Sequence, residues 1–490
     1  MITRRALLAG IPAVLAAKGA PPPAPWGAVP SARQLAWHDL EFTGFLHFTV
    51  NTFTGKEWGY GDESPDIFNP EKFDADGIID ALAAAGMRGV ILTAKHHDGF
   101  CLWPTRSTDH SVFYSKWRGG KGDVVKEISQ AAARRKMKFG VYLSPWDRNN
   151  AKYGTADYIK IYRQQLTELL TGYGPIFEVW HDGANGGDGY YGGAREKRSI
   201  DRNTYYDWPK TWEMIRAMQP DACIFSDVGP DIRWVGNERG IAGDPCWCAY
   251  DPVAEDGGAA SPGNVRARDS QTGTRNGKRW MPAECDVSIR PGWFWHEAEN
   301  ARVKTPRQLI QLYHQSAGRG ANFLLNVPPT SQGLIAAEDI ASLKGLGDYL
   351  RDTFAQNLAA KAKTDATNVR GNDKRYGPAA LVDGRDDTYW ATDDRVTSAD
   401  VTLEMPRPAR IQVIRLREAI EFGQRIDAVE IERWEQATWQ PLAKATSIGP
   451  RRLIRLEAPV IAQRVRLRIT QASASPALRE FALFSEALSA

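Results

Sequence analysis

From Trp26 to Ala359 short apolar runs alternate with longer stretches in which apolar residues return every three to four positions. The short runs, bounded by Gly, Pro, Asp or Asn, predict strands over Gly44–Val50, Gly89–Lys95, Lys138–Ser144, Phe177–Trp180, Ala222–Asp227, Met281–Ile289 and Ala321–Val327. The longer stretches predict helices over Asp74–Gly86, Asp123–Lys136, Ala156–Leu170, Trp208–Met218, Pro306–Ala317 and Ala336–Phe354, the first running from an acidic cap to a glycine stop. This rhythm implies parallel strands with crossover helices. An open doubly wound sheet has the same rhythm, but no Gly-rich phosphate fingerprint follows the first strand. Polar and aromatic residues gather where strands end, at Phe45–Phe48, Thr93–Phe100, Val141–Trp146, Trp180–Asp182 and Ala283–Asp286. A closed barrel brings such ends together around one pocket, so the expected fold over residues 26–359 is α/β, a (β/α)8-like (TIM) barrel.

Beyond a low-complexity piece, Ala355–Asp365, the texture changes to short alternating runs such as Val401–Leu403, Ile411–Leu416, Ala428–Trp434 and Val465–Ile469. Their length and spacing predict a β-sandwich over residues 366–490. It resembles the discoidin or factor V/VIII type C modules through the Asp383-Gly384 turn, Tyr389-Trp390 and Arg466-Leu467-Arg468. That resemblance implies a domain that binds sugar or buttresses the barrel, and allows a structural calcium.

At 490 residues two domains are expected in any case. Sixty-two basic and 59 acidic residues leave a net charge of +3 with no block of one sign, which argues against a nucleic-acid or membrane partner. Tryptophan, at 17, is abundant enough for rings stacked on sugars, or for aromatic core packing. Residues 1–20 carry Arg4-Arg5 ahead of an apolar run too short to span a bilayer, the pattern of an export signal of the twin-arginine type, with the general secretory route as the alternative. The expected location is periplasmic or secreted. Five cysteines, an odd number, make no disulfide scaffold, and Cys246-Trp247-Cys248 lacks the second pair that zinc would need. The loop Cys248–Arg279 is either a binding loop or lid, or a surface insertion.

Asp182, at the end of a strand, is the centre of the expected site, because barrel chemistry sits at the C-terminal face. His47, His96 and His97 also stand at strand ends. Adjacent strand residues face opposite ways and no H-x-H spacing is present, so these imidazoles are read as hydrogen-bonding to substrate hydroxyls, with no metal. Cleaving a glycosidic bond takes one carboxylate at the anomeric carbon and one carboxylic acid at the leaving oxygen. Asp182 suits the first role; Glu57, Glu238 and Glu284 compete for the second, and spacing does not rank them.

Gly44–Phe48, Glu57–Gly59, Lys95–Phe100, Trp180–Gly183, Gly229–Glu238 and Ala283–His296 together resemble the α-L-fucosidases of glycoside hydrolase family 29, the last two segments its α-1,3/1,4-specific branch acting on Lewis-type glycans. The resemblance implies an exo-acting retaining enzyme without a catalytic cofactor. It implies Asp182 as nucleophile and Glu238 as acid/base, with Glu284 as second candidate. His47, Glu57, Trp58, His96, His97 and Trp180 would surround the fucose ring, and Trp293 and Trp295 an aromatic segment beside it. Tyr142, from its strand-end motif, and Arg233 complete the substrate-binding set, and Arg233 and His181 are expected to keep Asp182 ionised. Burial against Trp234, or the charge of Asp182, is expected to raise the pKa of the acid/base. The segment Gly187–Arg202 is longer than in some relatives. The expected partner is a fucosylated oligosaccharide or glycoconjugate; the subunit number is open. The alternatives are a non-catalytic carbohydrate-binding barrel and a metal-dependent barrel hydrolase.

Overall fold

Strands wrapped by crossover helices bury both faces, and the strands Phe42–Leu46 (β1) and Gly89–Lys95 (β2) are buried at every position. The computed structural model describes residues 19–487, so the expected export signal lies, up to residue 18, outside the described residues. With Lys138–Leu143 (β3), Glu178–Trp180 (β4), Cys223–Ser226 (β5), Ile232–Trp234 (β6), Ala283–Ser288 (β7) and Asn322–Asn326 (β8) they close an eight-stranded, all-parallel barrel in sequence order. The expected barrel is therefore present.

Six helices lie close to their expected bounds, Ala75–Ala84 (α1), Val124–Arg134 (α2), Ala156–Gly172 (α3), Trp208–Met218 (α4), Pro306–Gln315 (α6) and Ala337–Phe354 (α7), while the short helix Ala267–Thr272 (α5) lies in the stretch expected to be a loop. Asp74 and Asp123 accept from the backbone N–H groups of Gly77 and Lys126, at 3.0 and 2.9 Å, satisfying donors that a helix start leaves free. Strand β6 is absent from the sequence-based expectation. It follows β5 after only residues 227–231, with no helix between, and Gly229 at φ +91° makes the turn. A preceding short helix, Ala32–His38, sends Trp37 into the barrel among Phe45, Ile91, Tyr142, Trp180, Phe225 and Leu324.

The C-terminal domain is a seven-stranded antiparallel sheet. Its two long strands, Ala399–Glu418 and Arg452–Ala472, shift register at residues 404–409 and 411–413. Such irregularities bend the sheet, here over a core that includes Trp390, Val401, Leu416 and Phe481. The barrel loop 248–279 is fastened to this domain. Arg275 grips Asp427 with both arms at 2.9 and 2.5 Å, and Cys248 N donates to Gln424 Oε1 at 2.7 Å. The turn carboxylates are each engaged by neighbouring protein groups. Asp383 accepts from Arg385 N and Thr388 Oγ1, Asp393 from Gly371 N and Asn368, and Asp394 pairs with Arg370. Among the described residues no helix is long and apolar enough to cross a membrane.

One buried ion pair joins the barrel rim to the last helix: Arg290, just after β7, meets Asp339 of α7 at 3.0 Å, and neither side chain is exposed at all. Arg290 Nη1 also donates to Asn300 Oδ1 at 2.9 Å and to His296 O at 3.3 Å, holding the loop that carries Trp293. Asp339→Ala leaves this guanidinium uncompensated and is expected to cost about 3–5 kcal/mol, read as a lowered urea midpoint.

Candidate active site

The C-terminal ends of the barrel strands enclose one pocket lined by aromatics, histidines and four carboxylates. Its floor is Trp180 of β4. The indole lies flat on Phe225 at 3.9 Å and 9°, and is stacked by Tyr142 at 5.3 Å.

Asp182 follows two residues later and lines the pocket. Tyr142 OH donates to its Oδ2 at 2.9 Å and Ala184 N to its Oδ1 at 2.7 Å, so both oxygens of the carboxylate are held. This corrects the expectation that Arg233 and His181 support it. Arg233 points out of the barrel, fully buried, and donates to the carbonyls of Ser270, Trp247 and Met281. Strand alternation explains this, because Trp234 faces the pocket and its neighbour cannot. His181 is bonded to Tyr162 OH at 2.9 Å, and burial takes its pKa down to about 3.

Three pocket histidines are buried and neutral. Burial lowers His47 to about 3 and His96 well below the ordinary range; His97 is lowered by burial and partly restored by Asp182. Asn326 Oδ1 stands 2.9 Å from His47 Nδ1, while the Asn326 amide nitrogen is spent on Ser288 Oγ and Trp293 O. His47 therefore carries its proton on Nδ1 and keeps Nε2 as an acceptor. Ser144 does the same for His97. Its hydroxyl donates to Trp146 O at 2.7 Å and so accepts from His97 Nδ1 at 2.7 Å, leaving Nε2 bare 3.8 Å from Asp182 Oδ2. Both rings thus offer acceptors to hydroxyl donors. His47 is expected to remain the neutral Nδ1–H tautomer from about pH 8 down to about pH 5, where a free imidazole would be charged, as read by ¹⁵N resonances of the imidazoles. Among the described residues no group of three side chains forms a metal-holding cluster.

Glu238 stands at the rim, four residues beyond β6, and accepts from Trp293 Nε1 at 3.2 Å. Lost hydration pushes its pKa up, the Trp293 N–H opposes this, and the charges of Asp182 and Glu57 add to the rise. Trp234 is not its partner, as expected from the sequence, but donates to Asp286 Oδ1 at 2.9 Å. Trp58 and Trp293 line the pocket; Glu57 and Trp295 do not. Glu57 lies behind Trp293, accepting from its backbone N–H at 2.7 Å and meeting His296 Nε2 at 2.6 Å. Its part is to set the Trp293 loop.

Glu284 is likewise outside the pocket. It is fully buried beneath the floor, where its Oε2 accepts from Trp180 Nε1 at 3.0 Å. Glu284 and Asp286 share the inward face of β7 one layer apart, and it is Asp286 that reaches the pocket. Asp286 and Asp227 are pocket carboxylates that the sequence reasoning passed over, although both end predicted or quoted strand segments. Burial raises Asp286 well above the usual range, with Glu238 adding to it, and takes Asp227 to about 6 against the pull of a 2.7 Å bond from Gly263 N. That bond brings the 248–279 loop to the pocket edge. A Cβ on Gly263, at φ +80°, would meet Gly183 O at 2.3 Å.

Comparison with known proteins agrees with this architecture. Residues 26–353 match the alpha-L-fucosidase family model and residues 360–481 the F5/8 type C domain. The chain is 41% identical over 474 residues to alpha-L-fucosidase 1 of Arabidopsis thaliana, covering 96% of this chain and 90% of that one. It is similar to the crystal structure of a glycoside hydrolase 29 member from a rumen bacterium, with 38% identity and a TM-score of 0.83 over 95% of this chain and 78% of that one. A Ruminococcus gnavus GH29 fucosidase in complex with fucose gives 31% identity and a TM-score of 0.83, covering 96% and 97%. With its barrel, its strand-end pocket and full-length likeness to these enzymes, the chain belongs to glycoside hydrolase family 29, the α-L-fucosidases.

Proposed function

We propose that this α-L-fucosidase removes terminal α-1,3- or α-1,4-linked L-fucose from branched, Lewis-type glycans by a retaining double displacement. One observation carries the mechanism: Asp182 and Glu238 line the same pocket in opposite settings. Asp182 is held by two donors, as a nucleophile should be, and Glu238 is pushed toward its protonated form, as a general acid should be. In the first step an Asp182 oxygen attacks the anomeric carbon, the C1–O bond breaks, and the Glu238 proton passes to the leaving oxygen. In the second, Glu238 takes a proton from water, whose oxygen displaces Asp182 and restores the starting anomeric configuration. Trp180 and its aromatic neighbours suit the apolar ring face and the C5 methyl, while the neutral His47 and His97 accept from sugar hydroxyls. The R. gnavus relative solved with fucose supports the choice of sugar.

The linkage reading rests on the Gly229–Glu238 and Ala283–His296 segments, and the export reading on residues 1–20. The test is chromatography of free fucose after incubation with a Lewis trisaccharide, beside an α-1,2-fucosylated disaccharide and an Asp182→Ala control. Release from the branched sugar alone is expected; release mainly from the α-1,2 sugar would discard the linkage. A chelator is expected to leave the rate unchanged, and a loss restored by added metal would point to the metal-dependent alternative.

A further inference from the structure

Beneath the pocket floor two glutamates face each other inside the barrel, and catalysis as described above uses neither. Glu178 of β4 and Glu284 of β7 are both fully buried, and each lies close enough to act on the other's ionisation. Each uses its other side on an indole: Glu178 Oε2 accepts from Trp37 Nε1 at 2.8 Å, and Glu284 Oε2 from Trp180 Nε1 at 3.0 Å. The remaining oxygens, Glu178 Oε1 and Glu284 Oε1, accept from no N–H or hydroxyl donor, and Arg33 and Arg216 pair with Asp231 rather than with either group. Two facing carboxylates without a cation repel, so a proton must lie between them.

We propose that Glu284 is a positioning residue for the fucosidase reaction: it keeps a proton that it donates to Glu178, and through its other oxygen fixes the Trp180 indole that floors the sugar pocket. A column of Trp37, Glu178, Glu284 and Trp180 then runs from the helix that enters the barrel up to the substrate. The surrounding titratable groups favour this state. Asp231 and Cys223 lie near Glu178 and Asp286 lies near Glu284 on the same strand face, and all of these can add only negative charge. Burial raises Glu178, and burial together with Glu178 holds Glu284 well above the usual range. The fixed direction of the bond also orients the floor. An indole N–H donates only, so a partner on the Glu284 side must accept from Trp180 while donating to Glu178. A protonated carboxyl does both, and so does a carboxamide.

The proposal rests on reading the pocket as the fucose site, but part of its test does not. Glu284→Gln reproduces both hydrogen bonds without an ionisable proton. It is expected to keep kcat/KM on an aryl α-L-fucoside within tenfold of the parent, whereas loss of a general acid typically costs about 10²–10⁴-fold. Glu284→Leu removes the acceptor, frees the indole to tilt, and is expected to raise KM about tenfold or more while kcat changes less. Infrared difference spectra of the parent against Glu284→Gln at about pH 8, where an ordinary glutamate is ionised, are expected to show one protonated-carboxyl band lost in the variant. That arm needs no substrate, so it separates failure of this proposal from failure of the fucose assignment, and it stands if Glu284→Leu does not fold. A fall of tenfold or more in Glu284→Gln, an unchanged KM in a folded Glu284→Leu, or a difference spectrum with no protonated-carboxyl band lost in the Gln variant would each overturn the proposal.

Discussion

Asp182→Gly is expected to lower turnover of an aryl α-L-fucoside on the order of 10⁴-fold, because the proposed double displacement has no other group to form its covalent intermediate. The substitution removes a carboxylate held by Tyr142 OH and Ala184 N and leaves a small void beside the anomeric carbon. Azide can enter that void. It would attack from the face that Asp182 occupied, in a single displacement, and the product would be a fucosyl azide of inverted configuration, detectable by NMR. The substitution is not expected to unfold the barrel, since the side chain is a quarter exposed and borders solvent. Near-normal turnover in the variant would remove Asp182 as nucleophile. A rescued product of retained configuration would remove the double displacement instead.

The barrel was legible because seven of its strands alternate with helices, and the eighth was not because that rhythm breaks at residues 227–231. Missing β6 had a cost at the site. Had Ile232–Trp234 been read as a strand, alternation would have sent Arg233 outward and Trp234 inward, as observed. Depth along a strand was a second blind spot. The run Ala283-Glu284-Cys285-Asp286 shows which residues share a face, but which of Glu284 and Asp286 reaches the pocket depends on the barrel's stagger. Supporting contacts were also hidden. Ser144 and Asn326 set imidazole tautomers from neighbouring strands, and nothing in their own segments marks them for that task. Glu57 fell within a family motif, yet its contacts are with Trp293 N and His296, more than 230 positions away.

Glu238→Ala is expected to lower kcat/KM about 10²–10⁴-fold on a natural fucosyl disaccharide, whose leaving oxygen must be protonated, and far less on a dinitrophenyl fucoside, whose leaving group departs unaided. The two steps then separate. The activated substrate forms the Asp182 adduct quickly, water attacks slowly without its base, and a burst of phenol precedes a slow steady state. Azide, which needs no base, should relieve that second step. The pH profile follows from the same group. Lost hydration raises the Glu238 pKa, so the active protonated form persists above the ordinary carboxyl range and is lost as pH rises through the raised value. Glu238→Gln should therefore lose the alkaline fall altogether. Trp293 supplies the finer control: its N–H favours the charged form, so Trp293→Phe should raise the Glu238 pKa and move the alkaline limb upward. A downward shift would mean that the indole acts on Glu238 mainly by excluding water, because removing it would then restore hydration to the carboxylate and lower its pKa.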